Sequence, residues 1–386
     1  MNLTILQGDC REKLRELPDA SVHCVVTSPP YWGLRDYNTP PRIWGGRPEC
    51  DHEWGQAVRT PWANDLPGPN GRKKNVAVTR QRPKETGPFC QKCEAWLGSL
   101  GLEPTPELFV RNLVLVFREV WRVIRDDGTL WVNMGDSHYG SWQNYGGGNR
   151  GAGKQRPIIR GSSAQNPVWE GLEAYRPAST RKHSTLKPKD LVGMPWRLAF
   201  ALQADGWWLR QDIIWSKPNG MVESVEDRPT MIHEYIFLLS KRKRYFYDHA
   251  AVKEPAVSDH ASGNGFKRNE RLSYQNSDGS PRGNDKQWTD VGGLRNRRSV
   301  WTIAPAQYPG AHFATYPPAL IKPCILAGCP VGGVVLDPFG GSGTTGKVAL
   351  ELGRSAILIE LNPDYVKLIE KRCRVNLPLM FEEVTQ

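Results

Sequence analysis

Val25-Val26-Thr27-Ser28-Pro29-Pro30-Tyr31-Trp32 begins as an apolar run and stops in a hydroxyl, two prolines and two aromatic rings. A strand entering Ser28-Pro29-Pro30 cannot continue its ladder, because each proline lacks an N–H and fixes φ. The chain must therefore turn out at the C-terminal edge of a sheet, which is where open α/β sheets bind ligands. The turn offers the Ser28 hydroxyl and the Pro29 carbonyl as acceptors and the face of Tyr31 for stacking. That set suits an extruded base carrying an exocyclic amine.

The second signal lies at the other end of the chain. Gly333 to Leu336 reads as a strand, Asp337-Pro338-Phe339 as an acidic turn, and Gly340-Gly341-Ser342-Gly343 as a glycine-rich loop before a helix running from Thr344 to about Gly353. Ser355 to Glu360 follows as a second buried strand ending in a carboxylate. Glycines let backbone approach a ligand closely, and an acid seventeen residues after Gly343 can accept from ribose hydroxyls, so this is a nucleoside-binding βαβ unit. Gly341 to Lys347 also fits the phosphate pattern Gly-x4-Gly-Lys, but Val348 stands where magnesium needs Ser or Thr.

Ser28-Pro29-Pro30-Tyr31, followed by Trp32, resembles motif IV of the DNA amino-methyltransferases, and Asp337 to Gly343 resembles their motif I, which binds S-adenosylmethionine. The resemblance implies catalytic roles for Ser28, Pro29, Pro30, Tyr31 and Trp32. It implies cofactor contacts for Asp337, Phe339, Gly341, Ser342, Gly343, Thr344 and Glu360. Gly8-Asp9-Cys10, after a short strand Leu3 to Gln7, resembles the motif whose acid contacts the cofactor's adenine; Phe313-Ala314-Thr315-Tyr316 resembles motif X, adding Phe313 and Thr315 at the methionine end. The catalytic motif precedes the cofactor motif, as in the β group of this family. The implied fold is α/β, a Rossmann-like methyltransferase with a mixed sheet of about seven strands, helices on both faces, permuted motif order and basic insertions.

The implied activity is methyl transfer from S-adenosylmethionine to the exocyclic amine of a flipped base in double-stranded DNA, by a cytoplasmic enzyme that is bacterial or phage-encoded. A homodimer is expected because the β group often dimerises; a companion restriction nuclease is not specified. Ser28 in the first motif position is associated with cytosine N4, yet the extended form Thr27 to Asp36 resembles a phage and bacterial set that includes adenine enzymes. Adenine N6 is expected ahead of cytosine N4. The motifs carry no Pro-Cys nucleophile, which argues against carbon-5 methylation. Two alternatives stay open: a DNA-binding protein with a zinc module on a catalytically silent scaffold, and a methyltransferase acting on RNA or a protein amide.

The chain has 386 residues, but strands drawn from both ends make a single catalytic domain with large insertions. Residues 1–37 and 94–240 form the catalytic half, 301–386 the cofactor half, 38–93 an insertion, 136–190 a basic Gly/Ser-rich loop, and 241–300 a target-recognition region. Segments 38–93, 141–197 and 241–300 together hold 33 basic against 15 acidic residues, so with a net charge of +11 the remainder is negative by 7. Basic insertions on an acidic core are the footprint of phosphate-backbone contact, and Trp142, Tyr145, Trp169, Tyr175, Tyr274 and Trp288 among them offer stacking. There is no basic-then-apolar leader and no run of 18 apolar residues, so neither secretion nor membrane spanning is expected. Of eight cysteines, Cys10, Cys24, Cys324 and Cys373 scatter through core segments, the pattern of reduced cytosolic thiols.

Leu113, Val114, Phe117, Val120, Trp121 and Ile124 recur at helical spacing behind a Thr105-Pro106 cap, ending at Asp127-Gly128 before a strand Thr129 to Met134. A helix over 191–204 precedes a strand over 207–215. Tyr235 to Leu239 and Tyr245 to Tyr247 read as a hairpin about the basic turn 241–244.

Cys50-x-His52 and Cys90-x2-Cys93 supply four metal ligands flanking a 37-residue arm rich in Pro, Gly and Lys/Arg. Such an arm has little apolar material to close around, so a tetrahedral zinc is expected to supply its folding energy. The bland alternative is two unrelated pairs of reduced residues. A zinc deaminase separates His and Glu by one residue, unlike His52-Glu53. Because the glycine loop lies at the other end of the chain, loss of this metal is expected to leave cofactor binding intact.

Overall fold

The computed structural model describes residues 1–33, 37, 39–55, 58–59, 85–86, 88–139, 185–187, 189–220, 223, 225–255, 294–305 and 316–374. Most of the basic loop 136–190 and of the recognition region 241–300, with the six aromatics named above and Phe313 and Thr315, lie outside the described residues.

β1 (Leu3–Gln7) runs into α1 (Cys10–Arg15), capped by Asp9. β2 (Val22–Thr27) is almost wholly buried and halts at Ser28, as the prolines require. The first insertion, expected over 38–93, contains β3 (Arg42–Trp44), β4 (Val58–Arg59) and β5 (Glu85–Thr86), and β6 (Trp96–Gly98) follows just beyond it; they pair antiparallel as β3 with β6 and β4 with β5. α2 (Pro106–Val123) starts where Thr105 accepts the Leu108 N–H at 3.2 Å, and buries Leu113, Val116, Phe117 and Val120 on one face. It passes directly into β7 (Ile124–Met134). Ile124 pairs with Val22 but Thr129 with Cys24, so 125–128 bulge out opposite His23 and the expected Asp127-Gly128 turn survives as a bulge within the strand.

The rest of the chain gives α3 (Met194–Ala204), β8 (Trp208–Ser216), β9 (His233–Ser240), β10 (Glu254–Pro255), β11 (Leu294–Arg295), β12 (Val300–Thr302) and α4 (Pro318–Gly328). It closes with β13 (Val334–Asp337), α5 (Thr344–Glu351), β14 (Ser355–Glu360) and α6 (Pro363–Arg374). The main sheet runs β1-β14-β13-β2-β7-β9-β8-β12, eight strands where about seven were expected. All neighbours are parallel except β9, which is antiparallel to both β7 and β8. One apolar cluster packs α1, α2 and α3 on one face of the sheet; a second packs α4 and α5 on the other, and α6 joins α5 there through Ile369 and Cys373.

The expected hairpin does not form. β9 already has a full ladder on each side, so Tyr245 to Tyr247 find no free edge; the Phe246 N–H instead donates to the Asp127 carbonyl at 2.8 Å, and Lys241 and Arg242 pair with Asp126. The arrangement brings the carboxyl ends of β1, β2, β13 and β14, together with the amino end of antiparallel β9, to a single edge of the sheet. No helix among the described residues is long and apolar enough to cross a membrane.

Candidate active site

At that edge a cavity of about 310 Å³ is lined by Gly8, Asp9, Ser28, Pro29, Pro30 and Tyr31 from one end of the chain and by Pro338 to Ser342, Thr344 and Glu360 from the other. The two expected motifs, some 310 residues apart, thus face one space, and a 2.6 Å bond from Thr27 Oγ1 to Asp337 Oδ1 joins their strands. Asp337 is 1% exposed and does not line the cavity. It accepts from Thr27, Thr345, Tyr316 and the Phe339 N–H, so it organises the loop and does not face a ligand. Burial holds its carboxyl above the usual range, against the pull of those four donors.

Glu360 does face the cavity. Its oxygens accept the Gly341 N–H at 2.7 Å and the Asn362 N–H at 2.8 Å, while burial pushes the carboxyl up to about 7. Gly341, at φ +51°, would place a Cβ against nothing closer than the Phe339 carbonyl at 3.7 Å, leaving open space beside the carboxylate. Gly343 is different: it does not line the cavity, its φ is +79°, and an added Cβ would sit 3.2 Å from Ile369 of α6. Ser342 and Thr344 line the cavity and are held by Arg372 at 2.7 and 2.8 Å. Asp9 also lines it, with both carboxylate oxygens engaged by Arg11; burial opposes its ionisation, but the Arg11 hydrogen bonds and charge keep it below the usual carboxylate range.

On the other side of the cavity Tyr31 is fixed through its hydroxyl, which donates to Glu234 Oε2 at 2.6 Å and accepts from Asn133 Nδ2 at 2.8 Å. Asn133 also donates to Glu234 at 2.9 Å, and Lys217 pairs with the other Glu234 oxygen. The Ser28 hydroxyl stands 3.5 Å from that of Tyr31. Trp32 points away from this group: it is 7% exposed and its indole N–H donates to the Glu103 carbonyl at 2.9 Å, a packing role. Asn133, Lys217 and Glu234 escaped the sequence reading, although each is a polar residue at or next to the end of an apolar strand. The chain's Pro-Cys pair, Pro323-Cys324, is no nucleophile, because α4 buries Cys324 completely and desolvation drives its thiol up.

The four expected metal ligands also converge. Their ligating atoms lie within 4.8 Å of one another, with Cys50 Sγ to Cys90 Sγ at 3.9 Å and Cys93 Sγ to His52 Nδ1 at 3.4 Å. A zinc with tetrahedral bonds of about 2.3 Å to sulfur and 2.0 Å to nitrogen sets edges of about 3.8 and 3.5 Å. No disulfide links any of these cysteines. Burial would raise the Cys90 thiol, yet His52 and the N–H groups of Lys92 and Cys93 bring it down to about 6, whereas burial and the neighbouring thiols push Cys50 up to about 11.

A Rossmann-like sheet with a Ser-Pro-Pro-Tyr turn and a glycine loop at one edge has the architecture of a base amino-methyltransferase. Residues 22–371 match the family described as DNA methylase, and the chain belongs to that family. It is 40% identical over 371 residues to the type II methyltransferase M.XycI of Xanthomonas campestris pv. cyanopsidis, covering 96% of this chain and 87% of that protein. It is 39% identical to M.SmaI of Serratia marcescens, covering 95% and 89%. Among solved structures, the PvuII DNA methyltransferase (cytosine-N4-specific) shares the fold with a TM-score of 0.52 at 16% identity, covering 99% of this chain and 89% of that one. The protein is a DNA methyltransferase.

Proposed function

We propose that the chain moves a methyl group from S-adenosylmethionine to the exocyclic amine of a base flipped out of double-stranded DNA. The observation that carries this is the shared cavity, with a hydroxyl, a carbonyl and an aromatic ring on one side and a glycine loop with a carboxylate on the other. The donor supplies an electrophilic methyl on a sulfonium. Glu360 would accept from its ribose hydroxyls, Gly341 leaves room for it, and Asp9 stands where the adenine is expected. An exocyclic amine is a poor nucleophile because its lone pair is delocalised into the ring. Hydrogen bonds from the amine to the Pro29 carbonyl and the Ser28 hydroxyl localise that pair, while Tyr31, held by Glu234 and Asn133, fixes the ring plane. The bound donor would supply the methyl, the nitrogen taking it as the carbon–sulfur bond breaks to release the thioether, and the proton of the methylated amine would pass to solvent water. Positioning of this kind is worth up to about 7–11 kcal/mol.

Adenine N6 is the target favoured by the extended Thr27 to Asp36 pattern. Cytosine N4 is the second reading, favoured by Ser28 in place of an aspartate. DNA incubated with the enzyme and methyl-labelled donor, digested and read as nucleosides by mass spectrometry, should show one of N6-methyladenine or N4-methylcytosine. Label in neither would sink the proposal. For the second site, the sulfur and nitrogen spacings support one structural zinc held by Cys50, His52, Cys90 and Cys93, closed to substrate by its four protein ligands.

A further inference from the structure

The metal cluster and the donor cavity are neighbours. Each ligand pair sits at one end of the β3–β6 ribbon: Cys50 and His52 follow β3, Cys90 and Cys93 precede β6. Gly46 lets the two sides close, since a Cβ there would fall 2.8 Å from Cys93 Sγ and 2.6 Å from Ala95 Cβ. Trp44 and Trp96, directly paired across the ribbon, are 3% and 1% exposed. The face of this ribbon that carries Arg42 and Trp44 is a wall of the cavity, while Ile43 on the opposite face is exposed.

The contact between ribbon and cofactor motif is specific. The Arg11 guanidinium lies 3.8 Å over the Trp44 ring and donates to the Ile43 carbonyl at 2.8 Å. The same guanidinium holds both oxygens of Asp9. The path therefore runs from the metal ligands along the ribbon, where the Cys90 N–H donates to the Ala95 carbonyl and Trp96 pairs with Trp44, and then by direct contact from Trp44 through Arg11 to Asp9.

We infer that the zinc lobe is a built-in wall of the methyl-donor pocket, and that the metal sets the affinity for the adenosyl end of the donor through Trp44, Arg11 and Asp9. This rests on the donor assignment made above and reverses the expectation that metal loss spares cofactor binding. Without the metal, the ribbon keeps its short ladder, the 3.0 Å bond from Trp44 Nε1 to the Gly98 carbonyl and the 3.1 Å bond from Ser99 to the Thr39 carbonyl, but loses the tie between the Cys50–His52 and Cys90–Cys93 turns that steadies Trp44 against Arg11. The Asp9–Arg11 pair then loses its stacking surface and its carbonyl acceptor.

The test is calorimetric titration of the full chain with S-adenosylmethionine, with zinc content measured on the same samples. Zinc-loaded protein should hold about one zinc per chain. Chelation to zero should raise the donor Kd at least tenfold, and returning zinc should restore it; Cys93→Ser should match the stripped protein. Arg11→Gln, which touches no metal ligand, should keep its zinc, bind the donor weakly, and lose less than threefold more on stripping, because the path is already cut. Stripped wild type that binds the donor as tightly as the loaded form overturns the coupling alone. A full tenfold loss on stripping Arg11→Gln overturns the path. Zinc-loaded wild type that binds no donor overturns the donor assignment and the coupling together, and protein that takes up no zinc overturns the metal site itself.

Discussion

Glu360 carries the clearest pH signature among the proposed site residues. Burial raises its carboxyl to about 7, so the donor-free protein binds a proton there that an exposed glutamate has already lost. A ribose diol needs the ionised acceptor; donor affinity should therefore rise with pH and level off above about 8. At pH 6 roughly a tenth of the groups are ionised, which predicts a Kd up to about tenfold weaker than at pH 8. Glu360→Gln should bind weakly at both values and lose the dependence, as titration calorimetry would show. Across the cavity, Tyr31→Ala should abolish most methyl transfer while leaving the donor Kd within about twofold. Tyr31→Phe removes only the hydroxyl and leaves Asn133 and Glu234 short of a buried partner. A cost of about 1–3 kcal/mol in transition-state binding is expected for it, read as kcat/KM. The residues on these two sides differ in how legible they were. Ser28 to Tyr31 and Asp337 to Glu360 are contiguous, so their chemistry is written in short stretches. Asn133 stands near the end of β7, Lys217 just past the end of β8 and Glu234 near the start of β9, each far from the others in sequence, and only the reversed direction of β9 brings the last to the first two.

At the level of elements, local rules mostly decided the outcome. The Thr105 cap, the apolar stripe of α2 and the proline stop after β2 all fall where composition puts them, and Thr105→Ala should cost about 1 kcal/mol in denaturant unfolding. The glycine loop was correctly placed but for a partly different reason. Gly343 was expected to bring backbone close to the ligand; the structure shows instead a left-handed backbone pressed on Ile369. Gly343→Val should destabilise the fold by about 1–3 kcal/mol, seen as a lower Tm, before any effect on the donor. A mutant with wild-type Tm that simply fails to bind donor would return the position to the ligand wall. Misreading Tyr245 to Tyr247 as a strand had another cause: an aromatic, alternating triplet has strand propensity, but pairing needs an open edge, and sheet order cannot be read from a triplet.

For the molecule as a whole, charge was legible and geometry was not. The basic segments outnumber their acids by 18, so they are expected to meet phosphate, and DNA affinity should fall steeply with salt. A slope of log K against log salt near −5 or steeper, from fluorescence anisotropy, fits six or so phosphate contacts, whereas a slope shallower than about −2 removes these segments from the backbone. What no spacing revealed was that the Cys/His lobe borders the cofactor motif, because that contact depends on how an insertion folds back over α1. Sheet order has a further result. Among the described residues, edge strand β1 pairs only with β14, register Leu3 with Ala356 to Gln7 with Glu360, although translation makes them some 350 residues apart. At about 5–20 residues per second the first strand waits roughly 20–70 s for β14. Until then it is an unpaired apolar segment for chaperones to shield. A chain cut short before residue 355 should accumulate as aggregate and modify nothing, so that methylation begins only with finished molecules.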